Sequence, residues 1–177
     1  GKRNAGYWRL KVSTCTSSDV LSICRDLPEL QIAKGWTLIK EGVRVDRLFV
    51  VKTGAFDVVR QDVRITRVAE PGAFLGEISA VLGSTATADV VAAEDSVVHV
   101  IDRASSAVRS QPELTFAIAQ LLARRLAAVT AYLVDIKHQY ADSGTHLALM
   151  DEVLGNLVAM HPARVRPGSE RPDLPDY

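Results

Sequence analysis

The chain has 177 residues with 21 basic and 21 acidic side chains, so its formal net charge is zero and a dedicated nucleic-acid binder is disfavoured. Hydrophobic residues make up 47% of the chain, which is ordinary for a globular protein of one domain, or one domain plus a helical extension. Cys15 and Cys24 are too few for a disulfide framework, and we find no apolar run near the ~20 residues of a membrane span. We therefore expect a cytoplasmic protein with free thiols and no membrane segment.

The first part of the chain predicts little regular structure. Residues 1–19 begin with basic side chains and continue through a Ser/Thr-rich run without apolar periodicity, which is typical of a poorly ordered extension. Asp19 or Ser18 is expected to cap a short helix through Val20 and Cys24 that ends before Pro28.

From Leu30 to Ile101 the pattern favours β-structure. Short runs rich in Val, Ile and Leu are separated by Gly, Pro and Asp about every eight to twelve residues, which indicates a sandwich or barrel. The predicted strands are Leu30–Ile32, Trp36–Ile39, Arg47–Lys52, Ala55–Arg60, Arg64–Val68, Val90–Ala93 and Val97–Ile101.

The most informative stretch is residues 71–90. It opens with a turn at Pro71-Gly72, and the short apolar piece Ile78–Leu82 between two glycines has room for about one helical turn. The amide N–H groups of such a turn suit an anion, and Glu77 complements the helix dipole or accepts a bond from a sugar hydroxyl. The alternative is a polar turn in which Glu77 is only a cap.

After Ile101 the periodicity becomes helical. Asp102–Ser110 predicts a short helix, and Pro112-Glu113 begins a long one that runs to Tyr140. Its apolar positions step alternately by four and three, which is a heptad seam; they are Leu122, Leu126, Val129, Leu133, Ile136 and Tyr140. The seam either pairs two subunits or covers the β-structure of its own chain. A further helix is predicted over 145–160, and prolines predict a disordered tail over 161–177.

Three motifs in order resemble the cyclic-nucleotide-binding domains. Phe74-Leu75-Gly76-Glu77 with Thr87-Ala88 resembles the family's phosphate-binding cassette, while Gly35–Gly42 and Leu48–Gly54 resemble its strand-and-turn motifs. The resemblance covers about residues 30–103. It implies an α+β fold, an antiparallel β-roll of eight strands in jelly-roll arrangement flanked by helices, with a long C-terminal dimerisation helix and one further helix. The expected domain division is extension 1–19, β-roll 20–111, helices 112–160 and tail 161–177.

The resemblance also implies the ligand-binding residues. They would be Phe74, Gly76, Glu77, Ile78, Ser79, Ala86, Thr87, Ala88, Arg125 and Thr130. Glu77 matches the residue that contacts the ribose, and Thr130 matches a position that reaches the base. Ala86 departs from the pattern, because the family has its phosphate-binding arginine there. Asp89 adds a negative charge nearby unless it points to solvent, and Arg125 either substitutes for the arginine or pairs with Glu77.

Nothing in the sequence predicts an enzyme. The four histidines lack metal-ligand spacing, and Ser79 does not stand in a nucleophile elbow. The expected function is a regulatory sensor without a cofactor, whose binding of cAMP or cGMP is weak, altered or absent. The alternatives are a true cAMP or cGMP receptor that uses backbone amides and Thr87, and a regulatory fragment of a larger transcription factor, channel or transporter.

The resemblance implies partners as well. We expect a homodimer through the 113–140 helix and an effector protein of unknown identity. Transcription factors of the family carry a helix-turn-helix domain of roughly seventy residues after the long helix, whereas only one helix and a Pro-rich tail follow here. Direct DNA binding is therefore not expected.

Overall fold

The structure, a computed structural model, describes residues 16–139 together with Val153 and Gly155, both of which are helical. The chain divides into two compact units between Leu121 and Leu122. The predicted extension up to residue 15, most of the predicted helix over 145–160 and the predicted tail over 161–177 lie outside the described residues.

The described part of the chain contains eight strands and four helices. The strands are β1 (Glu29–Ile32), β2 (Thr37–Ile39), β3 (Arg47–Thr53), β4 (Phe56–Arg60), β5 (Val63–Val68), β6 (Phe74–Leu75), β7 (Asp89–Ala92) and β8 (Ser96–Asp102). The helices are α1 (Ser17–Ile23), α2 (Glu77–Leu82), α3 (Ala104–Ser110) and α4 (Pro112–Gln139). The predicted α+β class is confirmed, and each predicted strand is present with ends shifted by one or two residues.

The strands form two four-stranded antiparallel sheets that make a jelly roll. One sheet has the order β1-β8-β3-β6 and the other the order β2-β7-β4-β5. Successive strands therefore alternate between the sheets at the start of the chain, which is the arrangement expected of a jelly roll. The predicted eight-stranded β-roll is confirmed.

The core of the roll lies between the two sheets. Because side chains alternate along a strand, every second residue of β3 and β8 faces this core. The buried members of the cluster are Ile32, Ile39, Phe49, Val51, Phe56, Leu75, Ala86, Val90, Ala92 and Val98.

The other face of the first sheet is covered by helices. Leu48, Val50 and Ile101 alternate with the core residues of the same strands and are also buried. Helix α3 contacts β3 and β8. The helices contribute their own buried apolar side chains, namely Val20, Cys24, Ala104, Ala107, Leu114, Ala117 and Ile118. The central strands β3 and β8 of the first sheet are thus buried on both faces.

Helix α1 is present as predicted, but its N-cap lies two or three residues earlier than the expected Ser18 or Asp19. Thr16 is the N-cap, and its backbone N–H and hydroxyl both donate to Asp19 Oδ2 at 2.7 Å. Asp19 therefore acts from the first turn of the helix rather than from the cap position.

Helix α4 runs without interruption from Pro112 to Gln139. By length and composition its Pro112–His138 part is apolar enough to cross a membrane. The expectation that the chain has no membrane segment therefore stays a prediction. The mean hydropathy of this part is high because leucines and alanines lie on both sides of the charged Arg124 and Arg125. The evidence for a span is weak, because core helices of soluble proteins pass the same test.

Candidate ligand-binding site

In the site predicted over residues 71–90, the residue before helix α2 is a glycine that no other residue replaces easily. Gly76 precedes α2 with φ +92°, a left-handed conformation that side chains rarely adopt. A Cβ atom there would lie 3.2 Å from Ile39 Cδ1 and 3.4 Å from the Arg47 carbonyl oxygen. The close approach places the start of α2 against both sheets of the roll.

Helix α2 buries a charged residue and exposes apolar ones. Glu77 is 5% exposed and Ala80 is 6% exposed, whereas Ile78, Val81 and Leu82 are exposed. A carboxylate is buried only where partners compensate its lost hydration. The burial of Glu77 therefore indicates that this helix holds a carboxylate among compensating partners and does not serve apolar packing alone.

The loop after α2 fixes Ala86 by its backbone. The Ala86 N–H donates to the Val43 carbonyl at 2.9 Å, and the Ala86 carbonyl accepts from the Gly42 N–H at 2.8 Å. Its side chain is 7% exposed and belongs to the apolar core of the roll. The position where the resemblance implies an arginine is thus ordered, buried and apolar.

Hydrogen bonds within the segment hold α2 to the loop that follows it. The Ser79 hydroxyl donates to the Thr85 carbonyl at 3.3 Å, and the Ser84 N–H donates to the Ser79 carbonyl at 3.3 Å. Ser79 therefore has a structural bond inside the segment, and its contact with a ligand stays a prediction.

Asp89 does not act as a bare negative charge. Its carboxylate accepts the Glu41 N–H at 2.6 Å and the Lys40 ammonium at 2.7 Å. These bonds, that of the Glu41 amide first, hold the pKa of Asp89 below its ordinary value of 3.8. Asp89 ties β7 to the end of β2, so its charge is neutralised by Lys40 rather than directed at a ligand.

The remaining predicted residues of the segment differ in exposure. Phe74 pairs with Val50 across β6 and β3 and is 3% exposed, so it lies on the helix-covered face of the first sheet. Thr87 is exposed and Ala88 is half-buried. Of these three, Thr87 offers a hydroxyl at the surface.

Arg125 and Thr130 belong to the second compact unit, beyond Leu121. The Thr130 hydroxyl donates to the Leu126 carbonyl of its own helix at 2.8 Å. A hydroxyl of this kind satisfies itself within the helix in the absence of a ligand. The roles of both residues at the ligand stay predictions.

The structure adds two residues that the sequence did not single out. Lys40 and Val43 lie on the β2–β3 side of the segment, where they contact Asp89 and Ala86 respectively. Lys40 is 49 residues from Asp89 along the chain, and Val43 is 43 residues from Ala86. Only the pairing of β2 with β7 brings the two sides together. No local pattern signals that pairing. Among the described residues no group of three or more His, Cys, Asp or Glu side chains suits a metal ion.

Comparison with known proteins decides the family of this region. Residues 29–107 match the family model described as the cyclic nucleotide-binding domain. These residues are a domain of that family. The cyclic nucleotide-binding domain includes the whole of the 71–90 segment, whose Gly76-Glu77 turn and Thr87-Ala88 pair carried the resemblance.

Individual relatives agree with this assignment. The chain is 29% identical over 87 residues to a cAMP-dependent protein kinase regulatory subunit of Mucor circinelloides f. lusitanicus. The matched region covers 49% of this chain and 20% of the relative. Its fold resembles that of the Thermus thermophilus catabolite activator protein, with TM-score 0.57, 20% identity and coverage of 79% and 81% of the two chains. The regulatory domain of Toxoplasma gondii protein kinase A gives TM-score 0.51 and 16% identity, with coverage of 66% and 48%.

Proposed function

We propose that the chain is a non-enzymatic, cytoplasmic regulatory module whose cyclic-nucleotide pocket is altered at its phosphate end. The observation that carries the proposal is Ala86. A buried methyl group, held in place by backbone bonds to Gly42 and Val43, stands where the family resemblance implies an arginine. The pocket therefore lacks the charge-assisted bond that this position would supply to a phosphate.

The size of the effect follows from the energy of one such bond. A hydrogen bond to a charged group contributes about 1.5–3 kcal/mol, and about 1.4 kcal/mol corresponds to a tenfold change in affinity. Loss of the arginine therefore weakens binding of cAMP or cGMP by at least about ten- to a hundredfold relative to a domain that has it. With such weak affinity, a cyclic nucleotide fills the site only at high concentration, unless the site binds a different ligand.

A second candidate is a true cAMP or cGMP receptor that holds the phosphate with backbone amides and Thr87. The observation in its favour is the exposure of Thr87 beside the start of the β7 strand. In this version Thr87→Ala weakens binding, whereas in the first version it changes little.

The test is a calorimetric titration of the full chain with cAMP and with cGMP, repeated on Ala86→Arg. We expect weak or undetectable binding by the natural protein and a gain in the variant. Thr85→Arg is the matched control, because it adds the same charge one residue away at an exposed position. Thermal unfolding of each variant is measured first, since Ala86 is buried and an arginine there strains the core.

The outcomes separate the candidates. Tight binding by the natural protein overturns the altered-pocket proposal and favours the receptor, provided that Thr87→Ala weakens it. Equal gains from Ala86→Arg and Thr85→Arg also count against the proposal, because they reflect charge alone. A folded Ala86→Arg variant that still does not bind shows that the pocket differs in more than its arginine.

We further propose that the module acts as a homodimer through the α4 seam, with an effector protein and without direct DNA contact. Leu126 and Val129 of the seam are exposed, and Leu122, Leu133 and Ile136 are half-buried. An apolar seam that is partly exposed over the described residues of one chain suits a second copy of the same helix. The chain spans 20% of the curated relative that it matches, so the regulated activity itself is also a proposal.

A further inference from the structure

A buried histidine outside the ligand-binding segment has no evident packing role. The side chain of His99 is 6% exposed, and its Nδ1 atom has no hydrogen-bond partner among the described residues. The great majority of buried polar atoms in folded proteins have a partner. An orphaned ring nitrogen in the middle of strand β8 therefore calls for a physical explanation.

His99 faces a carboxylate on the neighbouring strand. The register pairs His99 with Glu29 of β1 and with Val50 of β3. Glu29 Oε1 lies 3.9 Å from His99 Nδ1 and 2.6 Å from Lys52 Nζ of β3. We call Glu29, Lys52 and His99 the three-strand cluster, since its members come from β1, β3 and β8.

Helix α2, which also contacts β3, carries the buried Glu77 at its first position, whereas α1, α3 and the first turns of α4 bring no buried charge to the cluster. Every charged side chain on or beside α1, on α3 and on the first turns of α4 is exposed; these are Asp19, Arg25, Asp26, Arg103, Arg109 and Glu113. Glu29 is the acidic group within 4.0 Å of His99 in the described chain, and Lys52 is the cation paired with that group. The charge state of His99 thus acts chiefly on Glu29.

Glu29 remains an acceptor over the range in which histidines change charge. The Lys52 hydrogen bond, and then the charges of Lys52 and His99, hold the pKa of Glu29 below its ordinary value of 4.5. Histidine side chains gain a proton between about pH 8 and pH 5. The Glu29 carboxylate is therefore ionised throughout this pH range.

We propose that the three-strand cluster is a pH-responsive clasp that holds strand β1 more firmly when His99 is protonated. A neutral His99 leaves Nδ1 at 3.9 Å from Glu29 without a hydrogen bond. The imidazolium has a donor N–H and a positive charge on this atom, so it attracts the Glu29 carboxylate across the β1–β8 pair.

The position of β1 gives the clasp a regulatory consequence. Within the described residues, strand β1 is an edge strand that pairs only with β8, and α1 precedes it in the chain. The start of α1 packs against the Pro71-Gly72 turn that opens the 71–90 segment, because a Cβ atom on Gly72 would lie 2.7 Å from the Ser17 carbonyl oxygen. Tightening of β1 therefore also restrains α1 beside the entry to that segment.

Amide hydrogen exchange of β1 in the full chain tests the clasp. Protection factors for residues 29–32 are measured by NMR at pH 5 and pH 7.5 and corrected for intrinsic rates, while the imidazole proton shifts report the charge of His99. We expect protection about two- to fivefold greater at pH 5, the range for a partly exposed ion pair. Glu29→Gln is expected to bring this ratio close to one.

Two further variants keep the test specific. Lys52→Met leaves the Glu29 and His99 groups in place, so the ratio is expected to persist or grow. Asp102→Asn removes the Arg47–Asp102 pair at the other end of β3 and β8, a pair that contains no histidine, and should leave the ratio unchanged. The proposal is overturned if β1 protection does not change with pH, if the ratio survives in Glu29→Gln, or if His99 takes up no proton above pH 5.

Discussion

At the scale of single residues, the ligand-binding segment depends on positions where only a small side chain fits. Ala86 fills the roll core with a methyl group, and Gly76 passes between Ile39 and the Arg47 carbonyl. Both are positions of the fold and, in our proposal, positions of the pocket as well. A change at either one therefore has to be judged by its effect on folding and on binding together.

Gly54 provides the sharpest test of this close packing. Its φ is +90°, and a Cβ atom would lie 2.1 Å from Ser96 Oγ and 2.7 Å from Ser96 Cα. We predict that Gly54→Ala destabilises the protein by about 3 kcal/mol or more, because backbone strain adds to a clash that no rotamer relieves. The measurement is the free energy of unfolding from urea denaturation.

Gly35→Ala is the control for Gly54→Ala. Gly35 has φ +81°, yet a Cβ atom there would meet nothing within 4 Å. Its cost is therefore the strain of the conformation alone, about 1 kcal/mol. Equal losses in the two variants would contradict the role of the Ser96 contact.

At the scale of elements, the two helices most relevant to function have apolar surfaces that face outward. Helix α2 buries Glu77 and exposes Ile78, Val81 and Leu82, and α4 exposes Leu126 and Val129 of its seam. Apolar periodicity in the sequence indicates a face that is buried somewhere, but it does not say whether the cover comes from the same chain. For α4 the heptad spacing favours a second copy.

The seam of α4 predicts how the dimer is broken. We expect Leu126→Glu to convert the homodimer to monomers, because it places a charge in the centre of an apolar seam. Sedimentation equilibrium of the full chain measures the change. Ala131→Glu is the matched control, since at 100° per residue it lies opposite the seam and is exposed.

Two outcomes would contradict the proposed dimer through the α4 seam. A natural protein that is monomeric at all concentrations contradicts the dimer proposal directly. Equal dissociation by Leu126→Glu and Ala131→Glu would show that the helix pairs through another face. Circular dichroism of both variants confirms that α4 remains helical.

At the scale of the whole molecule, carboxylates join segments that are distant in sequence. Asp46 accepts the Ser105 N–H, Asp57 accepts the Arg67 guanidinium, and Asp89 accepts the Glu41 amide. Each of these bonds lowers the pKa of its carboxyl group from 3.8. The second sheet, the β2–β3 loop and the start of α3 are thus connected by bonds that require ionised acids.

The sign of the resulting pH dependence follows from linkage. A carboxyl group with a lowered pKa binds its proton less tightly in the folded state than in the unfolded chain. It therefore contributes its full stability above the ordinary value of 3.8, and this contribution is lost as the pH falls through the lowered pKa. We predict that the free energy of unfolding decreases between pH 5 and pH 2.5.

Asp89→Asn tests the origin of this acid sensitivity. The variant is expected to be less stable than the natural protein at pH 7 and to lose less stability on acidification, as measured by urea unfolding at pH 7, 5, 4 and 3. Glu70→Gln, at an exposed turn before the ligand-binding segment, is the control and should leave the acid sensitivity in place. A parallel pH profile in Asp89→Asn would contradict the assignment.

The sequence by itself determined the strands, the helices and the order of the family motifs. Alternating apolar residues, glycine turns and the heptad seam are local signals, so β3 around Phe49 and the long helix from Pro112 could be predicted within a residue or two. The two-residue strand β6 was missed, because its Phe74-Leu75 pair is too short for a period.

Only the tertiary structure decided which side chains meet. Pairing of β2 with β7 brings Lys40 to Asp89, and pairing of β1 with β8 brings Glu29 to His99. These contacts join residues 49 and 70 positions apart, and no local propensity specifies them. From the sequence, the family resemblance predicts that Ala86 stands in place of an arginine, and Asp89 is recognised as a charged residue. Strand register determines that Ala86 is sealed into the core and that Asp89 is neutralised, because contacts across a sheet depend on the packing of the entire roll.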